Sequence, residues 1–256
     1  MNYQINNNFT GLIVAAFLIS VLAPVPVFAD CADEPAAGVN WAGCDKQGVD
    51  LSGIDLTSAV LTSANLENAN FSGSRLSHAD FNRSNLKNAK FDKARMIGAR
   101  LIGVKARGAS FRQAILDDAS LSRSSLNSAD FTQARLRRVN FYDTDLANAD
   151  FTQANLEGAR LERAKMFAAK YDKANLDSAN LESSDAETAS FKNASMVKAK
   201  LDNAILREAD FTEADLTKAS LREANIDDAM FDEAILSDTI WVQYQRCRSG
   251  SVGECR

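Results

Sequence analysis

A large apolar residue returns at every fifth position between Leu51 and Leu236, except at Ala106 and Ala186, and this spacing defines 38 consecutive units. A small residue, usually Ala and otherwise mostly Ser or Thr, precedes each large one by two positions, as in Ala59 and Ala64. The unit is therefore small-x-large-x-x, and it organises about three quarters of the chain.

A period of five residues fits neither an α-helix nor a flat β-strand. On a helix, successive large residues would advance by about 140° and form no apolar stripe. On a strand, they would point alternately to opposite faces. The pattern instead predicts a solenoid in which each unit forms one short side of a coil, with the small and large residues turned inward.

The units resemble the consensus of the pentapeptide repeat family, Ala-(Asp/Asn)-(Leu/Phe)-x-x. The resemblance implies an all-β fold, a right-handed quadrilateral parallel β-helix with four units per coil and about 9.5 coils. At the usual strand spacing of about 4.8 Å, such a rod would be roughly 45 Å long. The clearest matches are Ala64-Asn65-Leu66, Ala79-Asp80-Phe81, Ala149-Asp150-Phe151 and Ala209-Asp210-Phe211.

Residues twenty apart test whether four units close one coil. The column that begins at Leu51 is aromatic at every later position from Phe71 to Phe231, with Tyr171 as its one tyrosine. The column that begins at Leu56 contains no aromatic residue. This separation predicts a continuous stack of rings along one inner side of the coil, stabilised by burial and ring contact.

The chain divides into four predicted regions: a signal peptide at 1–29, an N-terminal disulfide cap at 30–50, the β-helix at 51–240 and a C-terminal disulfide cap at 241–256. Residues 1–29 carry no charged side chain and are largely apolar from Phe9 onward. We expect cleavage after Ala29 and a periplasmic or secreted bacterial protein. The first residues lack the Lys or Arg typical of a signal peptide. An uncleaved membrane anchor stays open, because about 20 apolar residues can span a membrane, but Pro24 and Pro26 favour cleavage. A lipoprotein anchored at Cys31 is disfavoured by Asp30, where a small residue would be needed.

All four cysteines lie outside the repeat, which favours disulfides between sequence neighbours in an oxidising compartment. A metal site is the alternative, but cysteines at opposite ends of a rod do not converge on one ion. Near them, Trp41 and Trp241 are expected to plug the open ends of the solenoid. The predicted pairs are Cys31 with Cys44 and Cys247 with Cys255.

Several positions depart from the packing pattern. Ala106 and Ala186 are small where a large residue is expected, and a void or an inward shift is predicted near Ala186. Val139 is large at a small position beside Phe141, and we expect it to splay its coil.

Catalytic chemistry is poorly represented. The one histidine, His78, lies at an outward position, and no phosphate loop, nucleophile elbow or metal-binding motif is present. Aspartates such as Asp80 and Asp130 directly precede large residues, where they can accept hydrogen bonds from turn backbone. We therefore predict a non-enzymatic protein without cofactor, metal or small-molecule substrate.

Charge is distributed unevenly along the repeat. Residues 81–140 contain 13 Lys or Arg and 4 acids, whereas residues 201–240 contain 3 and 11. The basic region predicts a band around the rod that binds an anionic polymer or an acidic protein, although a merely solvated surface explains it as well. The candidate polyanion-binding residues are Lys90, Arg95, Arg100, Lys105, Arg107, Arg112, Arg123, Arg135, Arg137 and Arg138.

Two functional classes follow. The first is an exported structural and interaction module, a rigid rod that binds a protein or polyanion through its outer faces. The second comes from the family resemblance, which implies a DNA mimic that inhibits DNA gyrase or topoisomerase. A basic band and an export signal both oppose that second class. Direct DNA binding is weakened by the acidic C-terminal third, and membrane association is expected only if residues 1–29 stay attached.

Overall fold

The computed structural model describes residues 29–256, so nearly all of the predicted signal peptide at 1–29 lies outside it. Within this part of the chain there is no α-helix and no strand longer than a single β-bridge. No helix among the described residues is long and apolar enough to cross a membrane.

Parallel β-bridges join each bridge residue to the residue twenty positions later. The first is Asn40 with Val60 and the last is Ser220 with Ile240, with bridge residues at every fifth position between them. The chain is therefore a β-helix with a twenty-residue coil and four sides. We name the sides by their bridge residues, at intervals of twenty: side A 55–235, side B 40–240, side C 45–225 and side D 50–230.

A left-handed residue turns each corner. Every fifth residue from Gly38 to Asp238 has a positive φ, for example 58° at Ser58. The neighbouring Ala59 donates its N–H to the Leu56 carbonyl at 3.0 Å. A hydrogen-bonded four-residue turn with positive φ at its third position is the signature of a type II turn. Nine glycines occupy this position of the five-residue unit. Their recurrence at one position predicts the left-handed turn, and the sequence analysis missed this signal.

The backbone hydrogen bonds run mainly between coils. The N–H groups of the large and left-handed residues donate to the next coil, as Leu56 does to Arg75 at 2.7 Å. The bridge residue donates to the preceding coil. The first turn residue often donates to the carboxylate or amide of the preceding bridge residue, as Thr132 does to Asp130 at 2.8 Å. The predicted role of these aspartates in the turns is confirmed, and nearly every backbone donor of the unit has a partner.

Stacked rings fill side D of the interior. Nine rings from Phe71 to Phe231 stack with centroids 4.7–5.1 Å apart. Phe81 and Phe141 reach across from side B and meet this stack edge-on at 5.7 Å. The predicted aromatic column is confirmed. Each ring contributes about 1.5–3 kcal/mol by burial and roughly 0.5–1.5 kcal/mol through each ring contact.

The structure corrects two expectations about packing. Trp41 is not a plug over the first coil but occupies the large position of a regular unit, with 1% of its surface exposed. The β-helix thus begins at Asn40, within the segment assigned to the N-terminal cap. Val139 does not splay its coil, because the backbone hydrogen bonds between coils are kept beside it. The Asn140 N–H donates to the preceding coil at 3.0 Å, and the Arg160 N–H donates to the Val139 carbonyl at 2.9 Å.

Each end carries one disulfide. Cys31 and Cys44 are bonded with Cα atoms 5.5 Å apart, and Cys247 and Cys255 are bonded with Cα atoms 4.7 Å apart. At the C-terminal end the chain turns back and pairs antiparallel with the last coil, through Val252 with Ile235 and Arg246 with Ile240. Trp241 packs on Phe231 with ring centroids 5.1 Å apart. These contacts close sides A and B of the last coil.

Gly73 provides a test of the left-handed corner. A Cβ at this position would meet nothing within 4 Å in the described part of the chain, so only the backbone conformation opposes a substitution. We expect Gly73→Val to lower the free energy of unfolding by about 1–2 kcal/mol, because a β-branched residue disfavours positive φ. The matched Gly73→Asn variant should lose clearly less free energy of unfolding. Urea denaturation followed by circular dichroism measures both, and equal losses would contradict the turn assignment.

Tyr171 provides a test of the dry interior. Its hydroxyl is fully buried and, among residues 29–256, donates only to the Met166 Sδ at 3.1 Å; burial raises the pKa of Tyr171 above its ordinary value. Because a thioether is a weak acceptor, we expect Tyr171→Phe to be neutral or stabilising by up to about 1 kcal/mol. The reverse change Phe151→Tyr should destabilise the rod. A large loss of stability in Tyr171→Phe would show that the hydroxyl has a stronger partner.

Candidate interaction surface

The ten predicted polyanion-binding residues lie on all four sides of the rod. Each occupies an outward bridge or turn position, so none of them contributes its charged group to the core. Side A holds Arg95, Arg135, Arg137 and Arg138, side B holds Arg100 and Arg123, side C holds Lys105 and Arg107, and side D holds Lys90 and Arg112.

Five of these ten cations are paired with carboxylates on neighbouring coils. Because a carboxylate within 4 Å cancels most of the field of a surface cation, these residues add little to a basic band. The pairs are Arg100 with Asp80 at 2.6 Å, Arg112 with Asp130 at 3.1 Å, Arg135 with Asp117 at 2.9 Å, Arg137 with Glu157 at 3.9 Å and Arg138 with Asp118 at 2.7 Å.

The Arg138 pair is bidentate. Its Nε and a terminal nitrogen donate to the two oxygens of Asp118, each at 2.7 Å. These hydrogen bonds lower the pKa of Asp118 and raise the pKa of Arg138. The carboxylate therefore stays charged through mildly acidic pH, and Arg138 remains compensated there.

Cations without an ion pair gather at the corner between sides C and D. Lys90, Lys105 and Arg107 are exposed, and none has a carboxylate within 4 Å among residues 29–256. Lys93 is exposed at the far end of side D, where that side meets side A, and Lys87 lies one coil before Arg107, where it meets Glu67 at 3.2 Å. We call these five residues the basic corner.

The sequence analysis missed two members of the basic corner. Lys87 and Lys93 fall within the counted basic region but were not named as candidates. Their grouping with Lys105 and Arg107 depends on the twenty-residue register, which places Arg107 one coil above Lys87: Asn88 donates its N–H to the Arg107 carbonyl at 3.0 Å. Arranging the outward residues in columns of twenty, as was done for the rings, would have revealed this grouping.

Other surface features are weaker candidates. An open groove of about 350 Å³ on side B is lined by Asp80, Arg83, Arg100 and Ile102, together with neighbouring polar residues. Its Arg100 is already paired with Asp80. His78 lies against Gly98, where an added Cβ would come within 2.8 Å of its Nδ1. No group of three or more His, Cys, Asp or Glu side chains in the described part of the chain is arranged to hold a metal ion.

The C-terminal coils carry the opposite charge. Asp202 on side B accepts a hydrogen bond from Arg222 at 2.7 Å. Burial raises the pKa of Asp202, but the hydrogen bonds from Arg222 and Ser220 outweigh burial and lower that pKa below its ordinary value. Asp210 on side D is paired with Lys192 at 2.7 Å. In contrast, Asp227, Asp228 and Glu233 have no cation within 4 Å among residues 29–256.

Family models match most of the β-helix. A model described as pentapeptide repeats in eight copies matches residues 42–77, 69–105, 107–143 and 129–167. A second, described as a pentapeptide repeat region, matches residues 154–231. Together these matches span well over half of the chain.

Known structures of pentapeptide repeat proteins are similar to this chain. HetL from the cyanobacterium Nostoc, described as involved in the regulation of heterocyst differentiation, is 28% identical, with 82% of this chain and 92% of HetL covered and a TM-score of 0.59. That likeness supports the repeat β-helix.

Two further similarities have TM-scores too low to support any inference. QnrB1, a plasmid-mediated fluoroquinolone resistance protein, is 18% identical, with 76% of this chain and 90% of QnrB1 covered and a TM-score of 0.35. A thylakoid lumen protein of Arabidopsis thaliana is 21% identical, with 64% of this chain and 72% of that protein covered and a TM-score of 0.15. No curated protein sequence matches this chain.

Proposed function

Because this chain belongs to the pentapeptide repeat family, we propose that it is a non-enzymatic, exported structural and interaction module whose basic corner binds a polyanionic partner. The observation that carries this proposal is the grouping of five exposed cations on two adjacent coils, four of which have no carboxylate within 4 Å among residues 29–256. The proposal includes a right-handed rod, with about 9.5 coils in the repeat region.

The geometry of the basic corner suits a polymer of regularly spaced anions. Lys87 and Arg107 occupy the same turn position on successive coils, which are about 4.8 Å apart. Lys90 and Lys105 lie on either side of that line, at bridge positions. The bridge and turn backbone is held by the ladder, so the cations project from a rigid surface and lose little backbone freedom on binding. A sulfated or carboxylated polysaccharide, or an acidic protein segment, has this chemistry.

Export is supported by the arrangement of the cysteines. Both pairs are at disulfide distance, and such bonds persist in oxidising compartments. Residues 1–29, which are uncharged and largely apolar from Phe9 onward, supply a suitable targeting segment. The proposed location is therefore the bacterial periplasm or the exterior.

The alternative function is mimicry of DNA by an inhibitor of DNA gyrase or topoisomerase. Such a mimic needs acidic surface along most of the rod, and here only the C-terminal coils are strongly acidic. The basic corner interrupts that surface on sides C and D. A supercoiling assay with purified gyrase would favour the alternative if stoichiometric protein inhibited the enzyme.

Heparin affinity chromatography tests the basic corner. The triple variant Lys90→Gln, Lys105→Gln and Arg107→Gln removes three uncompensated cations. We expect it to elute at lower salt than the unmodified protein, with the slope of log affinity against log salt reduced by about one for each cation.

A matched control changes paired cations instead. The variant Arg112→Gln, Arg135→Gln and Arg138→Gln removes the same formal charge from cations that already contact carboxylates. Its elution should shift less. Equal shifts for the two variants, or no retention of the unmodified protein, would contradict a specific role for the basic corner.

Fractionation of bacteria that express the full chain tests export. We expect the protein in the periplasmic fraction or the medium, lacking residues 1–29 and lighter by the four hydrogen atoms lost when two disulfides form by oxidation. A variant with Cys247→Ser and Cys255→Ser should reach the same fraction with one disulfide. Full-length, fully reduced protein in the cytosol would contradict export.

A further inference from the structure

The last coil of the β-helix leaves part of its backbone edge uncovered. In regular coils the large and left-handed residues donate to the next coil, as Leu206 does to Asn225 at 2.7 Å and Glu208 does to Asp227 at 2.9 Å. On sides A and B of the last coil, the returning C-terminal segment supplies substitute acceptors: Leu236 donates to Ser251 at 2.8 Å, and Trp241 donates to Gln245 at 2.7 Å.

Sides C and D of the last coil gain no such acceptor from residues 29–256, although Gly253 of the returning segment lies close to the Phe231 carbonyl and the Glu233 nitrogen. We call residues 224–233 the open edge. Four backbone N–H groups there have no acceptor among residues 29–256, although their equivalents one coil earlier are all bonded. These donors belong to Ile226, Asp228, Phe231 and Glu233.

The open edge also presents acceptors at the correct spacing. One coil earlier, the Ala204 carbonyl accepts from Asn225 and the Ala209 carbonyl accepts from Met230, both at 2.9 Å. The equivalent carbonyls of Ala224 and Ala229 accept nothing from the described residues. Four donors and two acceptors thus form a template for one further segment that follows the corner, and unpaired backbone groups of this kind make exposed sheet edges bind other chains.

Apolar surface accompanies these backbone groups. Phe231 ends the ring stack and is 9% exposed, whereas the rings below it are fully buried. Ile226 and Ala229 are only partly buried, and Met230 is 44% exposed. A segment laid across the open edge would therefore bury apolar atoms as well as pair backbone groups.

The charges around the open edge define the kind of segment that fits. Its outward side chains include four exposed carboxylates, and residues 224–233 contain no Lys or Arg. The chain's own segment that covers the neighbouring sides carries Arg246 and Arg248 beside its backbone contacts. The carboxylates belong to Asp227, Asp228, Asp232 and Glu233.

We propose that the open edge is a docking site for a basic segment of a partner protein, which turns at the corner between sides C and D and adds to the last coil by backbone pairing. Its N–H and carbonyl groups complete the ladder on sides C and D, and its Lys or Arg side chains face the four carboxylates. This site lies at the opposite end of the charge distribution from the basic corner and does not depend on it.

Binding of labelled peptides to the full chain tests the proposal. The probe is a seven-residue peptide of alternating Lys and Val. One control carries N-methyl groups on alternate amides, which keeps the charge and removes backbone donors; another replaces Lys by Glu. We expect fluorescence anisotropy to show binding of the first peptide, at least about tenfold weaker binding of the N-methylated peptide, and none of the acidic one.

Amide hydrogen exchange measured by NMR locates the peptide. The amides of Ile226, Asp228, Phe231 and Glu233 should exchange rapidly in the free protein and become protected when the basic peptide binds. If the N-methylated peptide binds with equal affinity, or if binding protects amides elsewhere, the interaction is charge attraction alone. Either result would overturn the proposal.

Paired charge variants supply a further control. Asp228→Lys with Glu233→Lys changes the open edge, and Glu208→Lys with Glu213→Lys makes the same charge change at equivalent positions one coil earlier. We expect the first variant to weaken peptide binding more than the second. If the four amides are already protected from exchange without peptide, another occupant covers the open edge, either a second copy of the chain or residues 1–28. That result would also overturn the proposal. Dilution distinguishes these two occupants, because only protection by a second copy is lost.

Discussion

The twenty-residue register of the backbone ladder is the constraint on which the rest of the structure depends. Each coil donates to and accepts from its neighbours through groups that have no partner within their own unit, as Leu56 does with Arg75. An inserted residue would shift every later pair out of phase and expose buried donors. The left-handed corners follow from this constraint, because the chain must turn within two residues at each side, even where Lys173 or Glu213 takes the place of glycine.

The same register separates structure from function. Inward positions are fixed by ring stacking and by tight contact with small residues, so they carry little information about partners. Outward positions only need to tolerate solvent, and their charges can vary from coil to coil. The functional surfaces therefore lie where outward residues coincide in space: the basic corner, where Lys87 lies one coil below Arg107, and the open edge, where the ladder ends beside Asp228.

Much of the fold could be predicted from the sequence, because burial imposes a strict period on apolar residues. The ring column from Phe71 to Phe231 required only counting by twenty. The left-handed corner was missed because most residues there are not glycine, and the ladder supplies the energy that holds Ser58 or Arg138 in that conformation. The beginning of the helix at Asn40 was missed because its first units lack the family consensus. The candidate site was less predictable: Arg138 counts as a cation in the sequence, yet the fold places Asp118 against it.

Engineered cross-linking between coils tests the register most directly. Thr132 and Thr152 occupy the same turn position on successive coils of side D, and Gln133 donates to the Thr152 carbonyl at 3.0 Å. A variant with Thr132→Cys and Thr152→Cys should therefore form an additional disulfide under mild oxidation. A variant with Thr132→Cys and Ala147→Cys, fifteen residues apart and on different sides, should not. Efficient cross-linking of the second pair, or failure of the first in a folded protein, would contradict the twenty-residue coil.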